Sequence, residues 1–160
     1  MYLTPAECAE RARRAAADFD TGTLPREGPG SYLLLWADEQ SVAWLNTWWE
    51  GRDTGYHDHD GSAVGICVLE GRVTNEGLPI DGVRRVRAYG PGESLSLPGS
   101  GIHRMDHEAG AITIHVYSPP LRAIGHYDVV DGLLQRVPGP PDEGSPPSPN
   151  LLKSLTFAQK

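Results

Sequence analysis

The run of apolar and polar positions divides the chain into an amphipathic N-terminal segment, a series of short extended stretches and a proline-rich end. Residues 5–19 have a helical period, opened by Thr4 as N-cap, Pro5 at the first helical position and Glu7 three residues after the cap, the spacing of a capping box. A glycine- and proline-rich connector, 21–30, follows. Tyr32–Trp36, Val42–Trp49, Ala63–Leu69, Val83–Tyr89, Ser94–Leu97 and Ile112–Tyr117 are rich in Val, Ile, Leu, Trp and Tyr. Turn chemistry such as Glu50-Gly51, Gly71-Arg72, Gly90-Pro91-Gly92 and Pro98-Gly99 separates them. That spacing predicts an all-β sandwich or barrel behind one N-terminal helix.

Composition agrees. The 19 glycines and 14 prolines make up about a fifth of the chain, against roughly an eighth in average usage, which disfavours a helical bundle. At 160 residues, with 39% apolar positions, the chain suits one domain with one core, folding alone or as a small homo-oligomer. We place that domain at 1–136 and a proline-rich tail at 137–160, whose last ten residues, LLKSLTFAQK, regain apolar character and either dock or stay disordered.

A net charge of -7 and a pI near 5.3 leave no footprint for nucleic acid or an anionic membrane surface. No run reaches the roughly 18 apolar residues of a membrane span, and the first 20 residues lack the pattern of a secretory signal. Two cysteines, Cys8 and Cys67, allow one bridge at most. The expectation is a reduced, cytoplasmic protein.

The chemistry concentrates in six histidines, at 57, 59, 103, 107, 115 and 126. In a strand, His57 and His59 would point to the same face and reach one metal ion. Alone, such a pair is as readily a surface feature beside a turn. In Ala111–Pro120, the residues Thr113, His115 and Tyr117 alternate with Ile112, Ile114 and Val116. A hydroxyl, an imidazole and a phenol on one face, with no charge among them, fit a buried hydrogen-bond relay better than a solvated surface.

The surroundings of the histidines carry a resemblance. Gly51, five intervening residues, His57-Asp58-His59 and then Gly71 resemble the first cupin signature; Gly92, five intervening residues, Pro98 and then His103 resemble the second. Cupins are small jelly-roll barrels in which the two signatures converge on a metal. With HDH at 57–59, GIHR at 101–104 and HVYSPP at 115–120, the stretch from Trp49 to Asp128 resembles a cysteine dioxygenase of the thiol dioxygenase branch. The resemblance implies Fe(II) held by His57, His59 and His103, a relay of Thr113, His115 and Tyr117 beside it, and a cis bond at Ser118-Pro119. It further implies a small thiol such as L-cysteine and O2 as substrates, with a sulfinate as product. Tyr117 would donate a hydrogen bond at the metal, oriented by His115 and Thr113. One tryptophan of Trp44, Trp48 and Trp49 would pack beside the relay histidine.

The chain departs from the family at two places. Val64 stands where many cupins have a glutamate ligand, and it also occupies the position of the cysteine that cross-links to the relay tyrosine in animal members. This resembles the bacterial type. Asp60 leaves the parity of the two histidines and reads as a turn residue. The arginine that usually holds the substrate carboxylate is missing from the region of Ser31–Leu35, since no Lys or Arg occurs between Glu27 and Gly51. Arg122 is the replacement we expect for substrate binding, ahead of His126 and Arg52. Two other readings stay open: an oxygenase acting on a cysteine-derived compound, by further oxidation or decarboxylation, and a non-catalytic metal-binding sensor.

Overall fold

The computed structural model describes residues 1–78 and 83–139. The expected tail therefore falls, from residue 140 onward, outside the described residues. Helix α1 spans Pro5–Asp18 with the capping box in place: Glu7 N–H donates to Thr4 Oγ1 at 3.2 Å and Thr4 N–H donates to Glu7 Oε2 at 2.7 Å. None of the described helices is long and apolar enough to cross a membrane.

Among the described residues twelve strands follow: β1 Ser31–Ala37, β2 Val42–Trp48, β3 Arg52–Asp53, β4 Tyr56–His57, β5 Ala63–Glu70, β6 Val73–Gly77, β7 Arg85–Tyr89, β8 Ser94–Leu97, β9 His103–His107, β10 Ala111–Ser118, β11 His126–Val130 and β12 Leu133–Val137. They form two antiparallel sheets facing each other, not one closed cylinder. The first has the order β1-β2-β10-β5-β8; the second has the order β12-β11-β4-β9-β6-β7, with β3 also pairing β9. The fold is all-β with one N-terminal helix, as the alternation predicts. Strands β3, β4, β6, β9, β11 and β12 lie outside the expected stretches, because segments such as VTNEG and HRMDH carry little β-branched or aromatic signal.

Every residue of β2 and β10 is buried, so these strands bury both faces. Their inner side chains, Val42, Trp44, Trp48 and Tyr117, join Val64, Ile66 and Val68 of β5 and meet Val73, Tyr89 and Met105 of the second sheet. On the outer face, Ala43, Leu45, Ile112, Ile114, Val116 and Cys67 pack beneath Cys8 and Ala12 of α1. The two cysteines are free thiols in this outer layer. Burial pushes the Cys8 thiol up to about 11.

Helix and sheet meet through a glycine. A Cβ placed on Gly65 would lie 2.0 Å from the Ala9 nitrogen, so α1 lies directly on the β5 backbone. Gly65→Ala should force the helix off the sheet and destabilise the protein by about 1–3 kcal/mol. Gly90→Ala, whose Cβ would meet only Glu93 Oε1 at 3.7 Å, should change the thermal midpoint little. Equal midpoints for the two variants would contradict this close packing.

Candidate metal centre and hydrogen-bond relay

Across the second sheet, strand pairing aligns His126 with His57, His57 with His103, and His103 with Gly77. Paired residues share a face, so His57 and His103 point together between the sheets. Strand β4 ends at His57, and His59 lies beyond it, leading into a turn at Asp60 and Gly61. Asp60 is exposed with a φ of 51°, as a turn residue should be. Just before that turn the His59 ring lies 5.0 Å from both the His57 and His103 rings, which are 4.5 Å from each other.

One ligand nitrogen from each of His57, His59 and His103 lies within 4.8 Å of the other two. Their opposite nitrogens explain which ones converge. His57 Nδ1 donates to the Gly55 carbonyl at 2.9 Å and His103 Nδ1 donates to Asn75 Oδ1 at 2.7 Å, which leaves each Nε2 as a lone-pair donor. His103 Nε2 and His59 Nε2 face each other at 3.3 Å, and His59 Nδ1 is buried without a hydrogen-bond partner among the described residues. Burial holds His57 down to about 4 and His59 down to about 3, and it holds His103 well below the ordinary value. All three are therefore neutral at physiological pH, the state in which imidazole binds a metal. The donor set fits a divalent transition metal: three neutral imidazoles suit iron, zinc, copper or nickel.

The relay stands on the facing sheet. Thr113, His115 and Tyr117 are 0%, 6% and 2% exposed and share the inner face of β10, as their alternation predicts. Thr113 Oγ1 lies 3.0 Å from His115 Nε2, and His115 Nδ1 lies 3.1 Å from Tyr117 Oη. The chain ends beside the three histidines, where the Tyr117 ring is 5.4 Å from the His59 ring. Burial keeps the Tyr117 phenol protonated and His115 neutral. Val64 is the cross-strand partner of Tyr117, while Cys67 points to the helix side, so no thioether joins Cys67 to the relay. The Ser118-Pro119 bond is cis.

Other positions sort themselves by face. Trp44 and Trp48 point inward and Trp49 outward, following strand parity. Both inward tryptophans flank the relay: Trp44 is the cross-strand partner of His115, and Trp48 Nε1 donates to Thr113 Oγ1 at 3.0 Å. Asn75 escapes a reading of the sequence because its strand does. His107 is buried on β9, four residues along from His103. His126 is partly buried, its ring 6.4 Å from that of His57. Arg122 is exposed, between the cis proline turn and Ile124, which packs against the inner core. Arg52 is partly buried and pairs with His107, which places it on the same sheet face.

A two-sheet jelly roll with three imidazoles converging between its sheets is a cupin with a candidate metal centre. The sequence profile of the family described as cysteine dioxygenase type I matches residues 26–130 of the 160, and the chain belongs to that family. Among solved structures, KdgF from Halomonas sp. is similar, with a TM-score of 0.51 and 18% identity over 60% of this chain and 85% of that one. The oxalate decarboxylase of Bacillus subtilis is similar at a TM-score of 0.46 and 18% identity, covering 50% of this chain and 21% of that one. At these identities the likeness to KdgF shows the fold alone.

The buried histidines make stability depend on pH in a stated direction. Their native values lie below the ordinary 6.5, so on acidification the unfolded chain takes up protons first. Stability of the metal-free protein is thus full above 6.5 and is lost as pH falls from 6.5 towards about 4, where His57 and His107 protonate in place. The depressed carboxylates, such as Asp53 and Asp58, start from 3.8 and remain ionised over most of that window. The denaturant midpoint should therefore fall steadily across it. A midpoint that is flat or rises on acidification would contradict the buried, neutral state.

Proposed function

We propose that the protein is a mononuclear Fe(II) thiol dioxygenase, converting a small thiol and O2 to the sulfinate. The reaction balances without a co-reductant: both oxygen atoms of O2 end on sulfur, which is oxidised as dioxygen is reduced. The observation that carries the reading is the contact between the Thr113–His115–Tyr117 chain and the three histidines, through the Tyr117 and His59 rings. Binding a metal without a reaction needs no such relay. Membership of the cysteine dioxygenase type I family supports the same reading.

In this proposal His57, His59 and His103 hold the metal, which supplies Lewis acidity towards the thiol sulfur and a place for dioxygen to bind. The held Nδ1 atoms of His57 and His103 keep their rings oriented. Tyr117, kept protonated by burial, offers a hydrogen-bond donor to substrate or to developing negative charge, and His115 and Thr113 stop the phenol from rotating away. The surrounding inner face, with Val64, Ile66, Trp44 and Leu121, excludes water.

Oxygen uptake by iron-loaded protein with a panel of thiols tests the function. Replacing His57, His59 or His103 by Ala should abolish stoichiometric iron, whereas Tyr117→Phe should retain iron and lose about 10–1000-fold in turnover. Full iron in His103→Ala, or unchanged turnover in Tyr117→Phe, would remove the corresponding role.

A second reading, an oxygenase for a cysteine-derived thiol without a free carboxylate, is favoured by the lining. Tyr32 and Leu34 of β1 pack against the inner core where an arginine would be expected, and no Lys or Arg is among the buried described residues. A carboxylate taken out of water needs a charged partner. We assign that part to Arg122, which would have to turn in from the surface. If it does, Arg122→Ala should raise the KM for cysteine and leave cysteamine nearly unaffected. Equal losses on both thiols would exclude Arg122 from reading the carboxylate, and a wild-type preference for cysteamine would favour the second reading.

A further inference from the structure

The relay has a far end, and its chemistry is informative. Trp48 Nε1 donates to Thr113 Oγ1 at 3.0 Å, and an indole nitrogen can only donate. One lone pair of the Thr113 hydroxyl is thereby occupied. Two side-chain atoms lie within hydrogen-bond distance of that oxygen, Trp48 Nε1 and His115 Nε2, and only the second can accept a proton. Thr113 O–H therefore donates to His115 Nε2. A neutral imidazole that accepts at Nε2 must carry its proton on Nδ1, and that proton is donated to Tyr117 Oη, 3.1 Å away. Tyr117 is left to donate its own proton away from the relay, on the side where His59 and Tyr32 lie.

The indole is itself held. His107, 2% exposed, stacks on Trp48 with ring centroids 3.7 Å apart and planes 15° from parallel. Its Nδ1–H donates to the Arg52 carbonyl at 2.9 Å, which pins the ring, while its Nε2 is buried with no hydrogen-bond partner among the described residues. An indole free to turn in its plane would take its N–H off Thr113. His107 lies on β9, which also carries His103, so the strand bearing a metal-site histidine also braces the facing relay.

We propose that Trp48 and His107 are positioning residues that set the direction of the relay's hydrogen bonds, so that Tyr117 presents its O–H to the three-histidine centre. The inference rests on the proposed function only for its effect on turnover. The tautomer of His115 is a property of the metal-free protein, and it tests the proposal whether or not the chain oxidises thiols.

Long-range proton–nitrogen correlation spectra of metal-free protein labelled at histidine nitrogen read each tautomer directly. His115 is assigned by the signal missing from His115→Gln. In the wild type, at neutral pH, His115 should be a single species with Nδ1 protonated and Nε2 bare. Trp48→Phe, which keeps a ring and removes the N–H, should turn it into a mixture of both tautomers. His107→Ala should do the same in part, and His107→Phe, which restores a stacking ring, should bring back the single tautomer. A wild-type His115 protonated on Nε2 would overturn the proposal outright, and it needs no variant to fold. A pure Nδ1–H tautomer in Trp48→Phe would remove the role of Trp48, and one in His107→Ala would remove that of His107.

Discussion

Imidazoles taken out of water must either stay neutral or be paired, and the structure around the centre follows from that constraint. Five of the six histidines are buried between the two sheets, with no carboxylate hydrogen-bonded to any of them in the described residues. Each buried ring except His59 has its Nδ1 engaged: His57 by Gly55, His103 by Asn75, His107 by Arg52 and His115 by Tyr117. The protein thus places its fixed partners on one side of each ring. In the His57, His59 and His103 cluster one nitrogen of each ring converges, and that convergence could hold a cation.

The fold meets this constraint by division of labour. The second sheet side supplies the candidate metal ligands from β4, the segment just after it and β9, while the first sheet supplies the relay from β10 and Trp48 from β2. Because β2 and β10 are central and buried on both faces, helix α1 is needed to cover their outer side. Its small residues Cys8, Ala9 and Ala12 and the bare backbone of Gly65 let it come close enough to do so. The N-terminal helix therefore contributes to the site from a distance, by keeping the strand that carries Thr113, His115 and Tyr117 dry.

Much of this is legible in the sequence, for physical reasons that differ by residue. The alternation at 112–117 is decisive because a strand's period of two sorts side chains onto faces, and the uncharged polar face has to be internal. The cupin spacing of glycines is legible because some of these positions need what only glycine allows. Gly51 has a φ of 73° and its Cβ would lie 2.7 Å from the His107 carbonyl. His59 joins His57 as the i, i+2 spacing suggests, although the strand itself ends at His57 and His59 lies between it and the turn at Asp60 and Gly61. Asn75 is not legible as part of the site, and His107 is legible only as one more candidate histidine, not as a ring stacked on Trp48. Their roles depend on which strands pair, and β6 and β9 are held by pairing and burial without a strong local propensity.

Three buried imidazoles wait in the neutral state, with no proton to lose when a metal binds. Anaerobic calorimetric titration of Fe(II) into the metal-free protein at neutral pH, repeated in buffers of different ionisation enthalpy, measures this directly. The account predicts one equivalent bound with a heat that does not depend on the buffer, because no proton has to leave His57, His59 or His103. A heat that varies with the buffer in proportion to one or more protons released per metal, or the absence of stoichiometric binding, would contradict it.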